Sequence, residues 1–72
     1  MDDEGLSILK EALDTQLKNE DFDRAVGRTV RRRKLDFKKY VEVMGELREL
    51  AHEGSVSVEE VAKRLVTTGR EG

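Results

Sequence analysis

The chain has no cysteine, no proline and no tryptophan, and only one histidine and one tyrosine. Without cysteine it can form no disulfide, no thiolate zinc site and no cysteine-held iron–sulfur cluster. Such a chain suits a reducing cytoplasm. Without proline, no helix is stopped or kinked by a ring. Aromatic residues are 4% of the chain, a thin supply for stacking a run of nucleobases. No apolar run approaches the roughly 20 residues of a membrane span. The opening MDDEGLS is acidic, whereas a secretion signal starts basic and then turns apolar. A cytoplasmic protein that does not enter a membrane is expected.

Charge is abundant. Of 72 residues, 42% are charged, yet the net charge is only −2. Disorder requires low hydrophobicity together with high net charge, and here the apolar residues recur at helical spacing. A chain of this length makes one domain. A domain of this size buries only about 60% of the surface of its unfolded chain, so the core must be small.

Four helices are readable. The first spans about 3–18, with Leu6, Leu9, Leu13 and Leu17 on one face, Ile8 and Ala12 beside them, and an Asp14–Lys18 pair at the supportive i, i+4 spacing. Asp2, Asp3 and Glu4 suit the positive end of its dipole. The second spans about 22–33, capped by Asn19 or Asp21, with Phe22, Val26 and Val30 inward and Arg24, Arg28, Arg31 and Arg32 outward. Gly27 weakens it by about 1 kcal/mol relative to alanine. The third spans 36–53. Asp36 caps it, Leu35 and Tyr40 are spaced as a hydrophobic staple, and Phe37, Tyr40, Val41, Met44, Leu47 and Ala51 mark its inner face, with Val43 and Leu50 broadening it toward a second neighbour, before Gly54 stops it. The fourth spans 57–66. Ser57 and Glu60 have the spacing of a capping box, Val56 and Val61 that of a staple, and Glu59–Lys63 and Glu60–Arg64 are favourably ordered pairs. Residues 67–72 should fray. Short connections favour an all-α, single-domain bundle of four antiparallel neighbours.

Nothing in this pattern reads as catalysis. His52 in HEGSV has no second histidine at zinc-protease spacing; in a last helical turn it serves the dipole or faces water. Asn19, Asp21 and Asp23 alternate like a calcium loop, but Arg24 stands where glycine is needed and Val30 where a bidentate glutamate is needed. No glycine-rich phosphate loop occurs, and the carboxylates fall on polar faces without the burial that separates catalytic pKa values. The expectation is a protein that is not an enzyme, with no cofactor, metal or small-molecule substrate.

The informative feature is where the charges sit. Residues 1–23 carry eight acids and two bases, residues 24–39 eight bases and one acid, and residues 40–72 seven acids and four bases. The middle block is Arg24, Arg28, Arg31, Arg32, Arg33, Lys34, Lys38 and Lys39. Arginines that end a helix stabilise it by about 0.3–1 kcal/mol each, and acids elsewhere in the chain can neutralise them. Yet like charges three and four residues apart repel, and a helix end does not require eight cations. Arginine's planar fork suits phosphate. These eight residues are therefore the candidate docking surface of a small regulatory or adaptor protein for an anionic macromolecule, nucleic acid first. With Phe37 and Tyr40 assigned to the core, contact to the backbone of a duplex or structured RNA is expected over base stacking. The alternative is a protein–protein module whose basic face meets an acidic protein surface, including a homodimer in which the first helix of one copy pairs with the second helix of the other.

Overall fold

The helices begin where short polar side chains replace missing backbone partners. Asp2 has an extended backbone (φ −78°, ψ 173°), and its carboxylate accepts from the Gly5 N–H at 2.8 Å. Asp36 does the same for the Lys38 N–H at 2.8 Å, and Ser57 Oγ accepts from the Glu60 N–H at 3.1 Å. Each satisfies a donor that the first helical turn leaves orphaned. In the computed structural model, which describes residues 1–69, these caps start three of four helices: α1 (Asp3–Thr15), α2 (Phe22–Arg32), α3 (Phe37–Gly54) and α4 (Val58–Gly69). Asp21 occupies the corresponding position before α2, where its carbonyl, not its carboxylate, accepts from Arg24 and Ala25.

The fold is an all-α bundle, and no strand occurs among the described residues. α1 packs on α2 and α4, and α3 packs on the same two from the other side. Ile8 and Leu9 of α1, Val26 of α2, and Val43, Met44 and Leu47 of α3 are buried to about 1% exposure or less. Ala25 and Ala62 bring backbones close at the centre. Burial of each large side chain is worth about 1.5–3 kcal/mol relative to exposure. Thr29 is the one buried polar residue among the described residues, and its hydroxyl donates to the Ala25 carbonyl at 2.9 Å.

Three expectations about the helices change. First, α1 ends at Thr15, not near residue 18. Gln16 turns extended (φ −58°, ψ 131°), and its amide donates to the Glu20 carbonyl and to Glu59 Oε1 of α4. Leu17 is consequently 65% exposed, and Asp14 pairs with Lys10 instead of Lys18. Second, the inner face of α3 is narrower than its spacing implies: Val43, Met44, Leu47 and Ala51 are buried as expected, whereas Phe37 is 69%, Val41 54% and Leu50 38% exposed. Third, α4 continues through Thr67 and Thr68 to Gly69, with Thr67 Oγ1 bonded to the Lys63 carbonyl. The remainder of the expected frayed tail, 70–72, lies outside the described residues.

Both connections into and out of α3 use one device. After α2, the Leu35 N–H reaches the Val30 carbonyl and the Lys34 N–H the Arg31 carbonyl. After α3, Val56 bonds Ala51 and Ser55 bonds His52 in the same pattern. These are Schellman ends, in which the residue after the last helical one turns left-handed. Here that residue is Lys34 (φ 58°) or Ser55 (φ 54°), not glycine; Gly54 itself stays within α3. Leu35 and Val56, next in the chain, pack on the core and fix the angle at which the chain leaves.

Candidate functional site

The eight basic residues divide into two sets. Arg28 closes a two-point fork on Glu20, with Nε to Oε2 at 3.1 Å and Nη2 to Oε1 at 2.7 Å, and also donates to the Thr15 carbonyl. Arg33 donates from Nε and Nη2 to Glu11 Oε1 at 2.9 and 2.6 Å and reaches Ser7 Oγ at 3.0 Å. Arg32 faces the other oxygen of Glu11. Lys39, with only 13% of its side chain exposed, lies among Asp2, Glu4 and Glu42 at 2.9–3.4 Å. The acids of α1 and of the turn after it thus engage Arg28, Arg32, Arg33 and Lys39. The candidate docking surface of eight cations is cut back to this extent, because packing α1 beside α2 brings the acidic and basic blocks together within one chain.

Protonation follows that geometry. The Arg28 guanidinium, helped by the Leu17 N–H, holds the Glu20 carboxyl at about 2, far below its ordinary range, and Glu20 in turn raises Arg28. Hydrogen bonding to Asp2 raises Lys39, with Glu42 and Glu4 adding to it, and the Asp2 carboxyl is lowered by Lys39 and by the Gly5 N–H. These groups stay charged throughout the neutral range and hold the bundle's edges together.

The second set is Arg24, Arg31, Lys34 and Lys38. All four are exposed, and among the described residues none has a carboxylate within ion-pair distance. Arg24 and Arg31 are two turns apart on the outer face of α2, and both line two grooves. One groove, of about 460 Å³, runs between α2 and the start of α3 and is bounded by Gly27, Val30, Leu35, Phe37 and Tyr40, with Asp23 at its edge. The other, of about 530 Å³, lies toward the turn after α1 and includes Leu17, Lys18 and Arg28.

Comparison with known proteins finds no matching family model, no similar curated protein and no similar solved structure. The site is therefore read from its own chemistry.

Two of its members escape a reading of the sequence. Phe37 fits the inner stripe of α3 by spacing, but it is the first helical residue, and its exposed ring stacks on Tyr40, with centroids 5.4 Å apart and planes 25° from parallel. Lys18 is spaced to pair with Asp14 only if α1 continues, and the helix stops first. Local signals for both are weak, since the α1 stop depends on Glu59 and Arg28, which are distant in sequence. Gly27 lies beside the Tyr40 ring: a methyl group on it would meet Tyr40 Cε1 at 3.4 Å and Arg31 Nη1 at 3.9 Å, both ordinary contact distances, so the position does not require glycine. Among the described residues, no three histidine or acidic side chains gather at metal-binding spacing. No helix of the described residues is long and apolar enough to cross a membrane.

Proposed function

We propose that this protein is a non-enzymatic binding module, regulatory or adaptor in role, that grips an anionic macromolecule, nucleic acid first, through the cations that the acids among the described residues leave unpaired. The observation that carries this reading is the division of the basic block. Internal ion pairs account for Arg28, Arg32, Arg33 and Lys39, and a purely structural role explains those four. It does not explain Arg24, Arg31, Lys34 and Lys38, which are all exposed, the two arginines lining both open grooves. The like-charge spacing of Arg24 and Arg31 with Arg28 opposes helix formation, and a polyanion relieves it. The absence of cysteine suits work in a reducing cytoplasm.

Four phosphate contacts predict a modest complex with steep salt dependence. Its logarithmic slope is about −3.6 on duplex DNA and about −2.8 on a single strand. The test is a fluorescence-anisotropy titration of labelled DNA and RNA at about 50 and 200 mM salt. Binding at low salt that disappears in Arg24→Glu/Arg31→Glu supports the reading, and no binding at low salt rejects it. Arg28→Gln serves as the contrast: it breaks the Glu20 clasp and shows in the melting temperature.

A protein partner is the second reading, favoured by the exposure of Phe37 and Val41 on α3. Such a partner would be acidic with an apolar anchor. The homodimer built on α1 of one copy meeting α2 of another loses its charge argument, because those blocks meet within each chain. Sedimentation equilibrium reads self-association directly.

A further inference from the structure

The groove between α2 and α3 is more than a row of cations. Its rim carries Arg24 and Arg31, its walls are Val30, Leu35 and Tyr40, and its outer lip is Phe37, whose ring is 69% exposed. A ring this exposed offers an apolar surface that a ligand can cover. One face of the ring lies against Tyr40 in a near-parallel stack. Lys34 and Lys38 flank Phe37 in the chain and are exposed. A flat aromatic surface set among unpaired cations suits a ligand that is both planar and anionic. The groove's volume of about 460 Å³ lies inside the roughly 300–1,000 Å³ typical of small-ligand clefts.

From this we infer that the groove takes an unpaired base of a single-stranded nucleic acid, stacked on Phe37, while Arg24 and Arg31 hold the phosphates on either side. The inference rests on the anion-binding reading above and narrows it from nucleic acid in general to single strands. A base inside a duplex is already stacked on its neighbours and cannot lie against a side chain, whereas an unpaired base can. Every base offers a π face, so recognition of this kind tolerates many sequences. Arg24 and Arg31 also line the second groove, with Lys18 and with Arg28 clasped by Glu20. A strand crossing the α2 ridge there would keep its backbone near Arg24, Arg31 and Lys18 as it leaves the base-binding groove. Asp23, which also lines the groove, would accept from an exocyclic amine or a ring N–H of the base and disfavours an acidic side chain entering in its place. That single acid weighs the choice toward a nucleic acid over an acidic peptide.

The test compares an oligothymidylate of about 16 nucleotides, the duplex of equal length and polyglutamate, with wild type, Phe37→Ala and Phe37→Trp. Wild type should prefer the single strand, and binding should change the fluorescence of Tyr40, the only tyrosine in a chain without tryptophan. Phe37→Ala should keep its melting temperature, since the ring is exposed, and lose about fivefold or more of single-strand affinity, erasing the preference over duplex. Phe37→Trp should retain or increase it. Single-strand affinity that ignores Phe37→Ala but falls in Arg24→Glu/Arg31→Glu overturns the seated base and leaves the anion reading standing. Tighter binding of duplex, or equal binding of polyglutamate, also overturns it. No binding of any probe at low salt overturns both.

Discussion

Lys34 and Ser55 are held in the left-handed region, at φ 58° and 54°, where a side chain costs about 1–2 kcal/mol that glycine does not incur. Each ends a helix with two Schellman hydrogen bonds, so the conformation is imposed by packing of the following Leu35 or Val56. Ser55→Gly should therefore raise stability by about 1 kcal/mol, or roughly 4–8 °C in melting temperature for a domain this small. Lys34→Gly should stabilise similarly and at the same time weaken polyanion binding, because the strained position carries one of the four unpaired cations. Thermal melts and the salt titration read the two effects separately. Equal or lower melting temperature in both variants would mean that the turns are not left-handed in solution. The residue pattern shows why sequence reading places the first turn loosely and the second one residue early: lysine gives no sign of a left-handed turn, and Gly54 draws attention away from Ser55.

At the scale of helices, the starts are more legible than the ends. Asp36 and Ser57 are recognisable because capping is local: a short polar side chain reaches a backbone N–H two or three residues on. Ser57→Ala should cost about 1 kcal/mol, measured as a lower urea midpoint with unchanged slope, and a midpoint equal to wild type would remove the cap from the account of α4. Only half of the capping box forms, since Glu60 turns its carboxylate toward Arg64 at 3.3 Å, so Glu60→Gln should cost less than Ser57→Ala. Ends depend on what arrives from elsewhere. α1 stops at Thr15 where Gln16 bonds Glu59 and Arg28 bonds the Thr15 carbonyl, and nothing in the leucine spacing announces either partner. The inner stripe of α3 shows a related limit. Periodicity finds Tyr40, Met44, Leu47 and Ala51, but it cannot tell that Phe37 and Val41, on the same stripe, stay exposed. The fold class is readable from spacing and caps, while the aromatic part of the site depends on tertiary packing that local spacing does not encode.

For the molecule as a whole, the segregated charge works first as an internal clasp and only then as a surface. The sequence shows the blocks but not their pairing, because pairing requires α1 to lie along α2. Glu20 has its carboxyl lowered from 4.5 to about 2. A lowered carboxyl contributes stability that is complete above the unfolded value and is lost as pH falls toward the folded one. Acid unfolding should therefore set in below about pH 4.5 and steepen toward 2, with Asp2 acting in the same direction. Lys39 is raised, so its contribution is complete below its unfolded value of 10.5 and is lost only above it. Urea midpoints across this range should form a plateau with an acid edge, and Glu20→Gln should flatten that edge; an edge of unchanged slope would remove the Arg28 fork from the explanation. The same logic separates clasp from surface most sharply at Glu11, whose two oxygens face Arg33 and Arg32. Glu11→Gln leaves both guanidinium groups without their counter-charge on the flank of α2, so the melting temperature should fall. Binding to a polyanion should tighten at low salt, and its logarithmic salt slope should grow by up to about 1.8 on duplex or 1.4 on a single strand, from two added phosphate contacts. Stability and affinity moving in opposite directions is the signature of cations released from internal pairing, and a variant that loses both would show Glu11 acting only through the fold.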